Sequence, residues 1–320
     1  MTRILAILTL RNEAAFLLEW LAHHRAVGVT NFLVYSNDCQ DGTDDMLDRL
    51  AGLGWLQHES NPGPYDKGGI QFTALKHAAK QSITKDADWI LPIDIDEFVN
   101  VHVGQGTLPD LIAALPAATA ITLTWRLFGN AGIVPFSDTP VTETFTKCAP
   151  DVIFWPWRAA MFKTLYRNDG TYRKPGVHRP RDLHPERVED AHWFDGHGRR
   201  LDPRYRTKGV FSAYGRSNFG LAQLNHYPLG AMESYIVKAD RGRAVHSDHR
   251  LGADYWVERN YASDTDDSIL KSAPLRAAIQ AELMADARLA RLHATAVEWR
   301  HKRYTELMRD EATGPFLRVF

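Results

Sequence analysis

Over the first hundred residues the apolar positions change period again and again. Ile4 to Leu10 is a short apolar run and predicts a strand. Asn12 and Glu13 mark a helix start; Phe16, Leu17, Trp20, Leu21 and Val27 then recur at helical spacing, and Gly28 is placed as the stop. Asn31 to Ser36 predicts a second strand. Thr43 is placed to cap a second helix, with Asp44 and Asp45 in its first turn and Met46, Leu47 and Leu50 on one face. Trp55 to Glu59 predicts a third strand and Asn61 to Lys67 a loop rich in Pro and Gly. Gly68 to Thr84 predicts a third helix with Phe72, Leu75 and Ala79 inward, and Trp89 to Ile93 a buried strand. Alternation at this spacing predicts βαβ units and a mostly parallel sheet. Pro92 cannot donate to a central ladder, so its strand must distort or end there.

The middle of the chain is less regular. Ala120 to Leu127 and Ala159 to Arg167 predict strands. Asn168 to Lys208 has few apolar residues and many His, Arg and Asp, and predicts a long functional loop. From Ala231 onward the pattern is helical, and Ala273 to Met308 predicts a long, Ala-rich helical appendage.

The chain has 320 residues, with 38 Lys and Arg against 39 Asp and Glu, so its net charge of −1 disfavours a nucleic-acid partner held by bulk charge. Two cysteines, Cys39 and Cys148, give neither a disulfide scaffold nor a cysteine-based zinc site, and the cytoplasm is the expected compartment. No apolar stretch reaches the roughly 18 residues a spanning helix needs, which leaves attachment to the inner face of a membrane compatible with the sequence.

The strongest chemical signal is Asp94-Ile95-Asp96 at the carboxyl end of the apolar strand. At period two the two carboxylates share a side. Such a pair suits Mg²⁺ or Mn²⁺, which take one or two protein carboxylates and complete their shell from water and phosphate. Asp86/Asp88 and Asp264/Asp266 repeat the spacing, but in polar surroundings. Ligands of open α/β sheets bind outside the carboxyl ends of the strands, where the polar clusters after Leu10, Ser36 and Ile93 converge.

These motifs fall in a specific order. Thr9-Leu10-Arg11-Asn12-Glu13 is followed by Glu19-Trp20, His24 and Gly28. Next come Tyr35-Ser36-Asn37-Asp38 with Asp41-Gly42-Thr43, then Asp94-Ile95-Asp96-Glu97-Phe98, and later Asn225-His226-Tyr227 with Ser234, Lys238 and Arg241-Gly242. The order resembles a glycosyltransferase of the GT-A fold, in the bacterial branch of family 2 that is similar to family 92, over roughly residues 3 to 245. The resemblance implies a GT-A domain over residues 1–230, with a donor half to about residue 100 and an acceptor half beyond it, and a helical extension over 231–320. It implies a metal-dependent, inverting transfer from a nucleotide-diphosphate sugar, with a UDP-sugar favoured, to a glycan or glycolipid acceptor in polysaccharide biosynthesis. A binding protein that kept the fold without turnover is the alternative.

Site roles follow the same resemblance. Thr9, Arg11, Glu13 and Asn37 lie where the base and ribose bind, although Asn37 replaces an Asp common in the family. Lys67 and Gln71, beside Gly68 and Gly69 at a helix start, are candidates for the phosphates. Asp94 serves both nucleotide and metal, Asp96 the metal, and His226 is the late metal ligand, with His178 its competitor. Glu143 is the first candidate base, and Asp190 and Glu189 are the alternatives. Trp125, Trp155, Trp157, Trp193 and Phe194 are candidates either for stacking on an acceptor sugar or for core packing. Oligomeric state stays open.

Overall fold

The computed structural model describes residues 2–65, 68–241 and 251–310. The first part alternates strand and helix: β1 (Ile4–Leu10), α1 (Ala14–Ala26), β2 (Asn31–Ser36), α2 (Thr43–Gly52), β3 (Gln57–Ser60), α3 (Ile70–Ala78), α4 (Ser82–Lys85) and β4 (Trp89–Pro92). Then follow β5 (Glu97–Val101), α5 (Leu108–Ala114), β6 (Ala120–Leu127), α6 (Val141–Thr144), β7 (Lys147–Cys148) and β8 (Phe162–Arg167). After these come β9 (Tyr172–Lys174), β10 (Arg181–Leu183), β11 (Trp193–Asp195) and β12 (Ala222–His226). The chain continues through α7 (Met232–Arg241), α8 (Ala253–Val257), β13 (Asp264–Thr265), α9 (Ala273–Met284) and α10 (Ala287–Arg309).

Among the described residues nine strands form one sheet in the order β3-β2-β1-β4-β8-β6-β12-β5, with β11 beside β6. Neighbours from β3 to β4 run parallel; β8 is antiparallel to β4 and β6, β12 runs parallel to β6, and β5 is antiparallel to β12. The sheet is therefore an α/β sheet with a parallel first half and a mixed second half. This arrangement brings the carboxyl ends of β1, β2, β4, β6 and β12 to one edge, together with the first residues of β5 and β8.

Alternation along β1 divides its side chains between two layers. Ile4, Ala6, Leu8 and Leu10 pack against α1, and Leu5 and Ile7 face α3. Gly28 ends the α1 segment at φ +100, where a Cβ would meet the Pro109 ring at 2.7 Å. Leu283, Leu289 and Ala296 of the last two helices are buried in the same core as β1 and α1. The helical end of the chain thus packs on α1 and α2.

Several expected boundaries move. Helix α1 begins at Ala14 after Glu13, because Asn12 sits at φ +53. Thr43 is inside α2, where Asp41 accepts its backbone and hydroxyl hydrogens and Thr43 Oγ1 accepts the N–H of Glu13. The third helix breaks after Ala78 and resumes at Ser82. The C-terminal helix breaks at Asp286, which caps α10 by accepting from Arg288 and Leu289.

The predicted loop over residues 168–208 is the largest correction. It carries the β9–β10 ribbon, and β11 pairs with β6 in the main sheet. Buried Tyr172, Trp193 and Tyr205 anchor it. These three aromatic side chains each bury a large area, and Ala191, Val177, Leu183 and Leu201 pack in the same cluster, so few apolar residues suffice.

Candidate active site

Pro92 ends β4, as its missing N–H requires. The chain then turns over Ile93 to Asp96 and re-enters the sheet as β5. The Asp94 N–H donates to Glu97 Oε2 at 2.8 Å, and the Glu97 N–H to Asp94 O at 3.2 Å. Trp20 clamps the turn from below, donating Nε1 to Asp94 O and Glu97 O at 3.1 Å each. Trp125 donates Nε1 to Glu97 Oε1 at 2.6 Å. His24 and His23 of α1 bond Val99 N and O, so the Glu19-Trp20-His24 motif holds the carboxylate turn in place. Glu19 is buried and accepts the Val141 and Thr142 N–H groups at 2.7 and 3.1 Å.

Because residues 93–96 form a turn and not a strand, Asp94 and Asp96 engage different partners. Asp94 accepts from Gln71 Nε2 at 2.7 Å and Lys163 Nζ at 2.9 Å. Asp96 Oδ2 accepts from Lys238 Nζ at 2.6 Å and lies 3.5 Å from His226 Nε2. Burial opposes the charge of Asp96, but Lys238 and His226 outweigh it and hold its carboxyl well below the usual range. Burial pushes Glu97 up to about 8; Lys163, 3.7 Å away, opposes that rise, and Asp94 and Asp96 add to it. Lys163 is buried too, and its carboxylates overcome the desolvation and raise its pKa. Burial lowers the pKa of His226, which Asp96 partly offsets, so the imidazole keeps a free lone pair near neutral pH.

Lys163 and Glu97 received no role from the sequence, and Lys238 only a place in a motif. The available signal for Lys163 was a charge near the start of the strand Phe162–Arg167, whose other charge, Arg167, is its last residue.

Among the described residues no three His, Cys, Asp or Glu side chains converge as a ready-made metal cage. Asp96 and His226 nevertheless fit a Mg²⁺ or Mn²⁺ that takes its other ligands from phosphate. They offer one oxygen and one neutral nitrogen 3.5 Å apart, and His226 Nδ1 on the far side is buried without a hydrogen-bond partner.

The ends of β1 and β2 form the neighbouring surface. Thr9 pairs with Tyr35 across these strands, and half-buried Arg11 follows β1. Glu13 is buried, with its carboxylate 3.6 Å from Arg300 of α10. Asn37 is 2% exposed, and among the described residues neither its amide oxygen nor its amide nitrogen makes a well-formed hydrogen bond, with the Tyr65 hydroxyl as a polar neighbour. A buried amide with both ends unmatched is uncommon in a folded protein and suits a ligand edge that both donates and accepts. Lys67 lies outside the described residues.

Other candidates stand elsewhere. Asp190 precedes β11 near the start of β6, at the opposite sheet edge, and pairs with Arg187. Glu189 pairs with Arg206. Glu143 forms an ion pair with Arg276 of α9, and among the described residues no contact links it to Asp94 or Asp96. His178 is beside the cluster with Nδ1 3.0 Å from Phe162 O; burial lowers its pKa to about 4. Trp193 is core, Phe194 is partly buried against it, and Trp155 and Trp157 are exposed.

The model of glycosyltransferase family 92 matches residues 5–195, more than half of the chain and the whole span from β1 to β11. The chain belongs to glycosyltransferase family 92. It is 28% identical over 149 residues to a family 92 protein of Oryza sativa subsp. japonica, covering 43% of this chain and 23% of that protein. It is 26% identical over 145 residues to one of Ricinus communis, covering 42% and 24%. The chain spans about a quarter of the length of the curated relatives it matches. The sheet is of the α/β class that the motif order implied. Among solved structures the chain is similar to S. aureus TarS 1–349 in complex with UDP (TM-score 0.33, 14% identity, 52% of this chain, 47% of that one). It is also similar to glucosyl-3-phosphoglycerate synthase from Mycobacterium tuberculosis, in complex with Mn²⁺, uridine diphosphate and glucosyl-3-phosphoglycerate (TM-score 0.27, 19% identity, 39% and 44% coverage).

Proposed function

We propose that this family 92 protein is a glycosyltransferase that moves a sugar from a nucleotide-diphosphate sugar, with a UDP-sugar favoured, to a glycan or glycoconjugate acceptor. The observation that carries this reading is the pairing of Asp96 with His226 beside two lysines, at the sheet edge that also holds the unmatched Asn37 amide. The base and ribose lie against Thr9, Arg11, Glu13 and Asn37. The diphosphate then reaches the turn at Asp94 and Asp96, with Gln71 already in contact with Asp94.

As the glycosidic bond to the donor breaks, negative charge collects on the departing diphosphate. Lys163 and Lys238 supply positive charge at that place, in a partly buried setting where electrostatics weigh more than in water. A divalent cation held by Asp96 and His226 adds Lewis-acid stabilisation of the same charge when bound. Asp94 orients Lys163 and Gln71. The family resemblance supports inversion at the anomeric carbon, with the acceptor approaching from the side opposite the diphosphate, and a place in polysaccharide biosynthesis.

The test is release of UDP from a panel of UDP-sugars with Mn²⁺, by the whole chain and by Asp96→Ala. Turnover with one donor that Asp96→Ala abolishes supports the reading; binding of a nucleotide-sugar with no turnover toward any acceptor or water would favour a binding protein instead.

A further inference from the structure

A second cavity adjoins the carboxylate turn. It measures about 540 Å³, and its walls include Phe72, Tyr172, His178, Arg179, Arg181 and Arg206. Two of these lead back to the first site. Phe72 follows Gln71, which bonds Asp94, and the His178 ring lies 5.7 Å from that of Trp125, which bonds Glu97.

The charge of this cleft is unbalanced. Among the described residues its one acid, Asp182, is already paired with Lys174 at 3.0 Å. Arg206 directs its fork to Glu189 at 2.7 and 3.0 Å. Arg179 donates Nη2 to Tyr205 O at 2.7 Å and lies 5.1 Å over the Trp193 ring; the Tyr172 hydroxyl neighbours its guanidinium, but its buried Nη1 makes no well-formed hydrogen bond among the described residues. Arg181 lies 5.3 Å over the Phe72 ring and forms no ion pair among the described residues. Two guanidinium groups therefore face a cleft without a carboxylate of their own among the described residues. A buried N–H left unmatched is costly, and the planar fork of Arg suits a carboxylate or phosphate. Phe72, partly buried, adds a flat apolar ring of the kind that packs against sugar rings.

We propose that this cleft is the acceptor subsite and takes an acidic saccharide, one whose carboxylate or phosphate is held by Arg179 and Arg181. The acceptor role rests on the transferase reading; the anion site does not.

Calorimetric titration of the whole chain with tetragalacturonate, glucose 6-phosphate, maltotetraose and UDP with Mn²⁺ tests it, on the native protein and on Arg181→Gln. Arg181 is exposed, so its replacement leaves the fold intact, which an unchanged melting temperature verifies. The expected result is that at least one acidic probe binds about tenfold or more tightly than maltotetraose, that Arg181→Gln removes about tenfold of it, and that UDP is unaffected. Whichever acidic probe binds more tightly names the anion. Equal binding of maltotetraose, no binding of either acid, or a loss confined to UDP overturns the proposal, the last by assigning the arginines to the donor. Acid binding without UDP binding fails the donor reading alone and leaves the anion site standing.

Discussion

The indole N–H of Trp20 points at the carbonyl oxygen of Asp94 from 3.1 Å. The same N–H reaches Glu97 O, so one buried side chain of α1 fixes both ends of the turn between β4 and β5. Trp20→Phe keeps most of the packing and leaves two carbonyls without that donor. A stability loss of about 1–3 kcal/mol is expected, read from urea melts, with weaker nucleotide binding because Asp94 and Asp96 lose their frame. Unchanged binding in a destabilised variant would reduce Trp20 to a core residue.

Lys163 is the buried counter-charge of Asp94 and Glu97. Lys163→Met leaves the Asp94 carboxylate without its buried cation and removes the charge that opposes the rise of Glu97, and a loss of roughly 3 kcal/mol is expected. Adding Asp94→Asn to the same chain should restore part of it, because the uncompensated charge is removed. A double variant no more stable than Lys163→Met would mean that packing, not charge, is what Lys163 supplies.

The histidines under the turn make stability depend on pH. Burial lowers the pKa of His23 to about 4, and that of its neighbour His24 also falls. The unfolded chain takes up these protons near pH ~6.5, before the folded chain does. The stability that the neutral rings contribute is therefore present above about 6.5 and is lost as pH falls toward 4, on the order of 3 kcal/mol for His23 alone. Urea midpoints measured from pH 7 to 4.5 should fall, and His23→Gln should flatten the slope. An unchanged slope in that variant would place the acid sensitivity elsewhere.

Leu283 and Leu289 are buried against the β1–α1 core, and Asp286 caps α10 while pairing with Arg49 of α2. A chain ending at residue 230 should therefore lose cooperative unfolding, checked by circular dichroism. A stable, cooperatively folding 1–230 fragment would restore the picture of a separable extension.

Much of the first hundred residues was legible because their apolar periods are local. Ile4 to Leu10 and Asn31 to Ser36 coincide with β1 and β2 to the residue, and Pro92 ends β4 for the reason its chemistry gives. The segment over 168–208 was not legible, since three short strands tied by Trp193, Tyr172 and Tyr205 depend on distant partners. The site shows the same division. Asp94, Asp96 and His226 stand at one sheet edge, and the motif order named them. Lys163 reaches that edge only because β8 runs antiparallel between β4 and β6, a pairing no local spacing encodes. Asp190 carries the right chemistry at the wrong edge for the matching reason: β11 pairs parallel to β6 and starts level with its first residue.

The central claim is that the Asp96–His226 pair and the surface around Asn37 bind one nucleotide diphosphate together with a divalent cation. Calorimetric titration with UDP, GDP and CDP, with and without Mn²⁺, tests it most directly, on the whole chain and on Asp96→Asn. The account predicts that UDP binds, that binding needs Mn²⁺, and that Asp96→Asn removes the metal-dependent part. Binding indifferent to both Mn²⁺ and Asp96, or no binding of any nucleotide with the metal present, would contradict it.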